Sequence, residues 1–283
     1  MTSRVRLLLA SSHPGPTATV TVLATVMATA ASKPLWAIVL VALAVLAGQL
    51  SIGLANDWID ADRDRAVGRS DKPVALGLIG AREVRNAAVA TAALAVVLSL
   101  LLGPVSAVAH LVLVAAGWAY DAGLKRTAWS VAPFVVAFGL LPVVAVSAGG
   151  GATPASWAIA TGAVFGVAIH FSNVLPDLVD DAATGVRGLP HRLGPRVSGV
   201  VAFGFLVAAA ALVLFGQVSG DDPVRGAGVV LAVAGTAIVV LLAAVGGGLV
   251  LTAPPTRMLF RLVIVSSLVL VVELGLAGAR LIA

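Results

Sequence analysis

Apolar residues run along this chain in long unbroken blocks, without the alternation of a half-buried strand or the one-sided stripe of a surface helix. A helix needs about 20 mostly apolar residues to cross the hydrocarbon core of a bilayer. Nine stretches reach or approach that length, at roughly 16–32, 34–56, 84–103, 105–124, 130–148, 155–176, 197–217, 226–248 and 259–279. They predict an all-α, polytopic membrane protein with nine transmembrane helices in a bundle. The first stretch is short and Thr-rich, Gly103-Pro104 breaks the third from the fourth, and a Gly-rich segment ending at Pro154 separates the fifth from the sixth. The start, MTSRVRLLLASSHPG, has an apolar run of only four residues. A cleavable signal carries about 7–15, so this segment reads as an interfacial lead-in.

Composition agrees with the pattern. Apolar residues make up 60% of the chain, charged residues 11%, and the mean hydropathy is +1.07; soluble domains carry about 25% charged residues. With no Cys, disulfides, thiolate-bound zinc and a cysteine nucleophile are excluded.

The distribution of Lys and Arg sets the orientation. With a cytoplasmic N-terminus, Arg4, Arg6, Arg63, Arg65, Arg69, Lys72, Arg82, Arg85, Lys125, Arg126, Arg187, Arg192, Arg196, Arg257 and Arg261 fall on the inner side. Of the 18 basic residues only Lys33, Arg225 and Arg280 fall outside, and the C-terminus lies outside too. This asymmetry accounts for the pI of about 10.7 without nucleic acid as a partner. The protein is expected in the cell membrane.

Two polar stretches interrupt the apolar pattern on that inner side: NDWIDADRDRAVGRSDKPVALG (56–77) and NVLPDLVDDAATGVRGLPHRLG (173–194). Both read N-x3-D-x3-D-x3-G-x4-P-x3-G, 117 residues apart. On a helix, spacings of four keep side chains on one face. Asn56, Asp60 and Asp64 therefore form one stripe with Asp57 beside it, and Asn173, Asp177 and Asp181 form another, with His170 a turn deeper. Asp62 and Asp180 point off the stripes. Carboxylates at such spacings repel unless something positive lies among them. Oxygen ligands without thiols suit Mg²⁺, which also favours phosphate oxygens. Two facing stripes suit a metal clamp on a diphosphate. Arg65, Arg69, Lys72, Lys125, Arg126 and Arg187 share that side and can hold an anion from the other flank.

In these residues the chain resembles the UbiA superfamily of intramembrane prenyltransferases. The first motif of that family, NDxxDxxxD, is met by Asn56, Asp57, Asp60 and Asp64. Its following R-x-x-R-P element is met by Arg69, Lys72 and Pro73, with Lys in place of the second Arg. Tyr120 and Lys125 resemble its cytosolic Tyr/Lys element, one residue further apart than in many members. Asp177, Asp181, Gly185, Leu189 and Pro190 match the second motif. The resemblance covers nearly the whole chain and implies a single domain, 1–283, with helices around a lipid-accessible central cavity under a cytosolic cap. It implies an isoprenyl diphosphate donor bound through Mg²⁺ to both motifs, and a small hydrophobic acceptor, aromatic in kind, that attacks the allylic C1.

The expected metal ligands are Asn56, Asp57, Asp60, Asp64, Asp177 and Asp181. Diphosphate or substrate contacts are expected from Arg65, Arg69, Lys72, Tyr120, Lys125, Arg126, Asn173, His170 and Arg187. Asp60, Asp177, Lys125 and Tyr120 carry the catalytic roles. Tyr120 offers a ring face to a cation or a hydroxyl to the diphosphate. His110 is expected as a buried hydrogen-bonding residue. Glu273 is expected to pair or snorkel toward Arg280, and Gln49 to meet the acceptor or a neighbouring helix. Two alternatives stay open: a terpene cyclase using the same ionisation, and a transporter or binder of lipid diphosphates. A transporter more naturally places charge near the bilayer midplane.

Overall fold

The computed structural model describes residues 3–183, 185–219, 223–252 and 257–283. Asp221 and Asp222, and the side chains of Asp180 and Arg257, lie outside the described residues. Among the described residues the chain is helical throughout, with one isolated bridge between Pro154 and Ile282. The helices are α1 (Arg4–Ser11), α2 (Pro14–Ala30), α3 (Leu35–Ile59), α4 (Ala61–Ala66), α5 (Ala81–Leu100) and α6 (Pro104–Ala122). They continue as α7 (Ala132–Val146), α8 (Ser156–Val174), α9 (Leu178–Ala183), α10 (Leu189–Val218), α11 (Ala227–Thr252) and α12 (Arg257–Ala277).

Seven of these, α3, α5, α6, α8, α10, α11 and α12, are long and apolar enough to cross a membrane. The first and fifth apolar stretches form shorter helices, α2 with 17 residues and α7 with 15. Proline and glycine set most of the boundaries. Gly103 takes φ 95°, a value few other residues adopt, and Pro104 opens α6, where its missing N–H costs nothing. One boundary differs from expectation: α10 begins at Leu189, about two turns before the apolar run at 197. Gly194 (φ 80°) bends the chain ahead of Pro195, and helical bonding resumes beyond.

Long helices adjacent in sequence pack against one another in the order α2, α3, α5, α6, α7, α8, α10, α11, α12, and α12 returns to α2, so the described helices close a ring. The amides of Ala155 and Ala283 donate to Leu281 and Thr153, tying the C-terminus to the α7–α8 connection. Apolar burial alone holds little in lipid, where the surroundings are equally apolar, so close backbone approach matters more. On α8, Gly162 and Gly166 face the carbonyls of Phe138 and Phe134 on α7, leaving no room for a Cβ at either. Gly53 on α3 likewise faces the backbone of Ser12, pinning the α1–α2 elbow one turn from Asn56.

Two intramembrane polar residues match packing roles. His110 is fully buried, with Nδ1 2.6 Å from the hydroxyl of Ser99. Glu273 is buried against α11, where Thr236 donates to it at 3.4 Å, in place of a snorkelling position.

The α7–α8 contact gives a direct test. Gly166→Val overpacks it, and such changes cost about 1–3 kcal/mol. The thermal unfolding midpoint in detergent is expected to fall, whereas Gly204→Ala, with open space around it, leaves the midpoint unchanged within error.

Candidate active site

The first motif closes α3 and continues into α4. Asp60 sits between them at φ −88°, ψ 0°, and accepts the amide of Asp64 at 2.8 Å, so the turn stays near-helical and the stripe survives the break. Asp57, Asp60 and Asp64 are each no more than 2% exposed. Asp62 is exposed to solvent and pairs with Arg65 at 2.9 Å, off the stripe as expected.

Buried carboxylates need compensation, since the desolvation cost of a charge is several kcal/mol. Each one here has it. The Lys125 ammonium donates to both oxygens of Asp60, at 2.6 and 2.7 Å. Lys72 lies between Asp57 (3.1 Å) and Asp64 (2.8 Å) and donates to Asn56 Oδ1 at 3.2 Å. Its ammonium is largely desolvated, which lowers its pKa, but the adjacent carboxylates outweigh this and hold it above the usual lysine value. His13 reaches Asp57 at 3.2 Å from a left-handed backbone conformation, φ 52°.

The second motif departs from a continuous helix. Pro176 cannot continue the hydrogen-bond ladder, and a 3₁₀ turn, Leu175–Asp177, separates α8 from α9. Asp177 and Asp181 still face the first motif. Arg63 Nη1 lies 3.8 Å from Asp181, and Arg69 Nη1 lies 3.7 Å from Asp177. Arg63 also bonds Asp60 at 3.0 Å and Asp64 at 3.2 Å, and His191 Nε2 lies 3.6 Å from the other oxygen of Asp181. Burial raises the Asp181 carboxyl to about 6, against the opposing pull of Arg63. Arg69 forks onto Asp71 at 2.9 and 3.0 Å and holds its carboxyl down at about 2.

Several residues expected to contact substrate are not bonded to the acidic cluster among the described residues. Asn173 is exposed. His170 turns inward, fully buried, with Nε2 3.0 Å from the hydroxyl of Ser130. Arg126 and Arg187 are exposed and make no ion pair with the acidic cluster among the described residues. Among the described residues Arg65 pairs with Asp62.

Sequence reasoning missed four residues. Arg63 was counted only as an inner-side charge. Asp121, 3% exposed, accepts from Asn56 Nδ2 at 2.7 Å and lies 3.9 Å from Lys125, four residues on; that spacing was the available signal. His13 and His191 carried none, since only tertiary folding brings them in.

Below the charges, Tyr120 meets Phe134 edge-on at 5.1 Å and His170 at 5.8 Å. It also lines an apolar cleft between α2, α3, α6 and α7, with Gln49, Ile52, Leu113, Phe134, Phe138 and Leu141. A charged rim over an apolar cleft suits an amphiphile with an anionic head.

The acidic cluster fits Mg²⁺ by its donor chemistry. It offers carboxylate and amide oxygens without a thiol, and Asp121 Oδ2 is buried without a hydrogen-bond donor. Among the described residues, no three acidic or imidazole groups form a ready cage; the carboxylates converge on Lys and Arg instead. Mg²⁺ needs no such cage, because it keeps waters and binds through one or two carboxylates together with phosphates.

Residues 17–254 match the UbiA prenyltransferase family. The bacteriochlorophyll synthase 33 kDa chain of Cereibacter sphaeroides is 31% identical over 209 residues, covering 70% of this chain and 68% of that one. A UbiA homolog from Archaeoglobus fulgidus, solved bound to GPP and Mg²⁺, superposes with a TM-score of 0.70 at 16% identity, covering 96% of this chain and 99% of that one. The apo structure of a UbiA homolog from Aeropyrum pernix K1 gives 0.72 at 19% identity, over 92% and 96%.

The raised Asp181 carboxyl sets a pH-dependent stability. A raised acid pKa stabilises the fold fully below the unfolded value near 4, and that contribution is lost as pH rises through about 6. In chelator, Asp181→Asn is therefore expected to unfold at a higher temperature than the parent at pH 7.5 and to lose this advantage toward pH 4. Lys125→Ala leaves Asp60 buried without its closest partner, and breaking a buried pair costs about 3–5 kcal/mol. The same thermal scans read that loss.

Proposed function

The chain belongs to the UbiA prenyltransferase family, and from that premise we propose that it is a Mg²⁺-dependent intramembrane enzyme that ionises an isoprenyl diphosphate and transfers the prenyl group to an aromatic acceptor. The observation that carries this reading is the meeting of the two acidic motifs through Arg63–Asp181 and Arg69–Asp177, directly over an apolar cleft. That arrangement supplies one site for a diphosphate head and one for its tail.

Asn56, Asp57, Asp60, Asp64, Asp177 and Asp181 would hold Mg²⁺, which when bound supplies positive charge to the departing pyrophosphate. Asp121, beside Asn56 and Lys125, joins this group in our reading. Lys72, Lys125 and Arg69 present N–H donors on the same rim. Donors fixed in a water-poor site stabilise leaving-group charge far better than the same groups in water. The allylic C1–O bond breaks with its electron pair leaving on pyrophosphate. An electron pair of the acceptor then forms the new bond to C1, and the acceptor gives up a proton. Tyr120 stands where the rim meets the cleft, so its ring can face the developing cation. The aliphatic and Phe walls keep water, the competing nucleophile, from C1.

The bacteriochlorophyll synthase relative supports an acceptor with a hydrophobic ring system. We further propose that α2 and α7 complete nine spans, that the whole chain is one domain, and that the motif-bearing ends face the cytoplasm under the excess of Lys and Arg there.

Purified protein in detergent, given geranylgeranyl or farnesyl diphosphate and a panel of aromatic acceptors, tests the reading. Pyrophosphate release is expected to require both Mg²⁺ and an acceptor, with a prenylated product by mass spectrometry. Asp60→Ala and Asp177→Ala are each expected to lower the rate by about two to three orders of magnitude. Acceptor-independent release with a hydrocarbon or terpene alcohol product would make it a cyclase instead.

A further inference from the structure

Among the cations of the site, Arg63 occupies a distinct position. Lys125 is committed to Asp60 through both carboxylate oxygens and is only 5% exposed. Lys72 is wedged between Asp57 and Asp64 at 8% exposure. Arg69 spends its fork on Asp71 and reaches one motif carboxylate, Asp177 at 3.7 Å. Arg63 instead spreads one guanidinium over three carboxylates belonging to both motifs: Asp60 at 3.0 Å, Asp64 at 3.2 Å and Asp181 at 3.8 Å. These are three of the proposed metal ligands. Its side chain is 18% exposed, more than that of either lysine. It stands on α4, a six-residue helix followed by Gly68 at φ 70°.

A guanidinium and a divalent cation cannot both take the same carboxylate oxygens. Resting on the metal-dependent reading above, we infer that Arg63 is an exchangeable counter-ion: it neutralises and joins the two motifs, competes with Mg²⁺ for their carboxylates, and passes its guanidinium to the diphosphate when metal and diphosphate enter together. The chemistry favours such an exchange, because a planar fork that pairs with carboxylates pairs equally well with phosphate oxygens. Metal alone must displace Arg63 and leave it without a partner. Metal accompanied by diphosphate gives it a new one. The site therefore favours loading of the complex over loading of the bare ion.

Calorimetric titration of Mg²⁺ into the full chain in detergent, with and without inorganic pyrophosphate, tests this without turnover. Arg63→Gln is expected to bind Mg²⁺ alone about five- to tenfold more tightly than the parent, within the usual range of coupling between sites. With pyrophosphate present the advantage should vanish or reverse. Arg63→Lys keeps the charge but cannot fork between carboxylates, so it should fall between the two. It carries the comparison by itself if the glutamine variant does not yield folded protein. A merely structural Arg63 would weaken metal binding or leave it unchanged in both conditions, and either result overturns the exchange. Asp60→Asn separates this failure from that of the metal reading. If Asp60→Asn binds Mg²⁺ as well as the parent, the proposed metal site is wrong. If it loses Mg²⁺ while Arg63→Gln gains nothing, only the exchange falls.

Discussion

Everything at the motif-bearing end of this bundle follows from one constraint: carboxylates that are almost fully buried must be matched by positive charge. Asp57, Asp60, Asp64 and Asp121 are each no more than 3% exposed, and removing one partner from such a pair leaves a cost far above that of any surface contact. Lys72 and Lys125 answer it within the first half of the chain, and Arg63 and Arg69 extend it to the second motif. The ion pairs thus join the end of α3 to the connection after α6 and to the second motif after α8. A diphosphate with metal replaces one set of charges by another, so the same constraint that holds the fold defines its ligand.

Much of this was legible in the sequence. Among the described residues each apolar run falls on a helix, seven of them long enough to span and two shorter, with the boundaries set mostly by Pro and Gly. The register shared by the two motifs predicted that they act together, and Arg63–Asp181 and Arg69–Asp177 show them adjacent. Lys72 and Lys125 lie among the acids, where charge balance demanded cations.

The misreadings have local causes. The apolar run begins near 197, yet the helix starts at Leu189, and a glycine at positive φ bends α10 without ending it. Pro176 interrupts the second stripe with a 3₁₀ turn, which a strict four-residue period ignored, and His170 bonds Ser130. Arg65 and Arg63 are equally basic neighbours in sequence; helical phase and the tertiary position of Asp181 put Arg63 among the carboxylates and leave Arg65 largely exposed on Asp62. His13 and His191 join through folds of the chain that no local pattern encodes.

The central claim is that both motifs form one site for one diphosphate. An experimental structure with a non-hydrolysable thiodiphosphate prenyl analogue and Mn²⁺ in place of Mg²⁺ tests it most directly, since Mn²⁺ gives an anomalous signal. The account predicts Mn²⁺ peaks contacted by Asp60 or Asp64 on one side and Asp177 or Asp181 on the other, with the prenyl tail passing Tyr120 into the cleft. Metal confined to a single motif, or a diphosphate seated away from both, would contradict it.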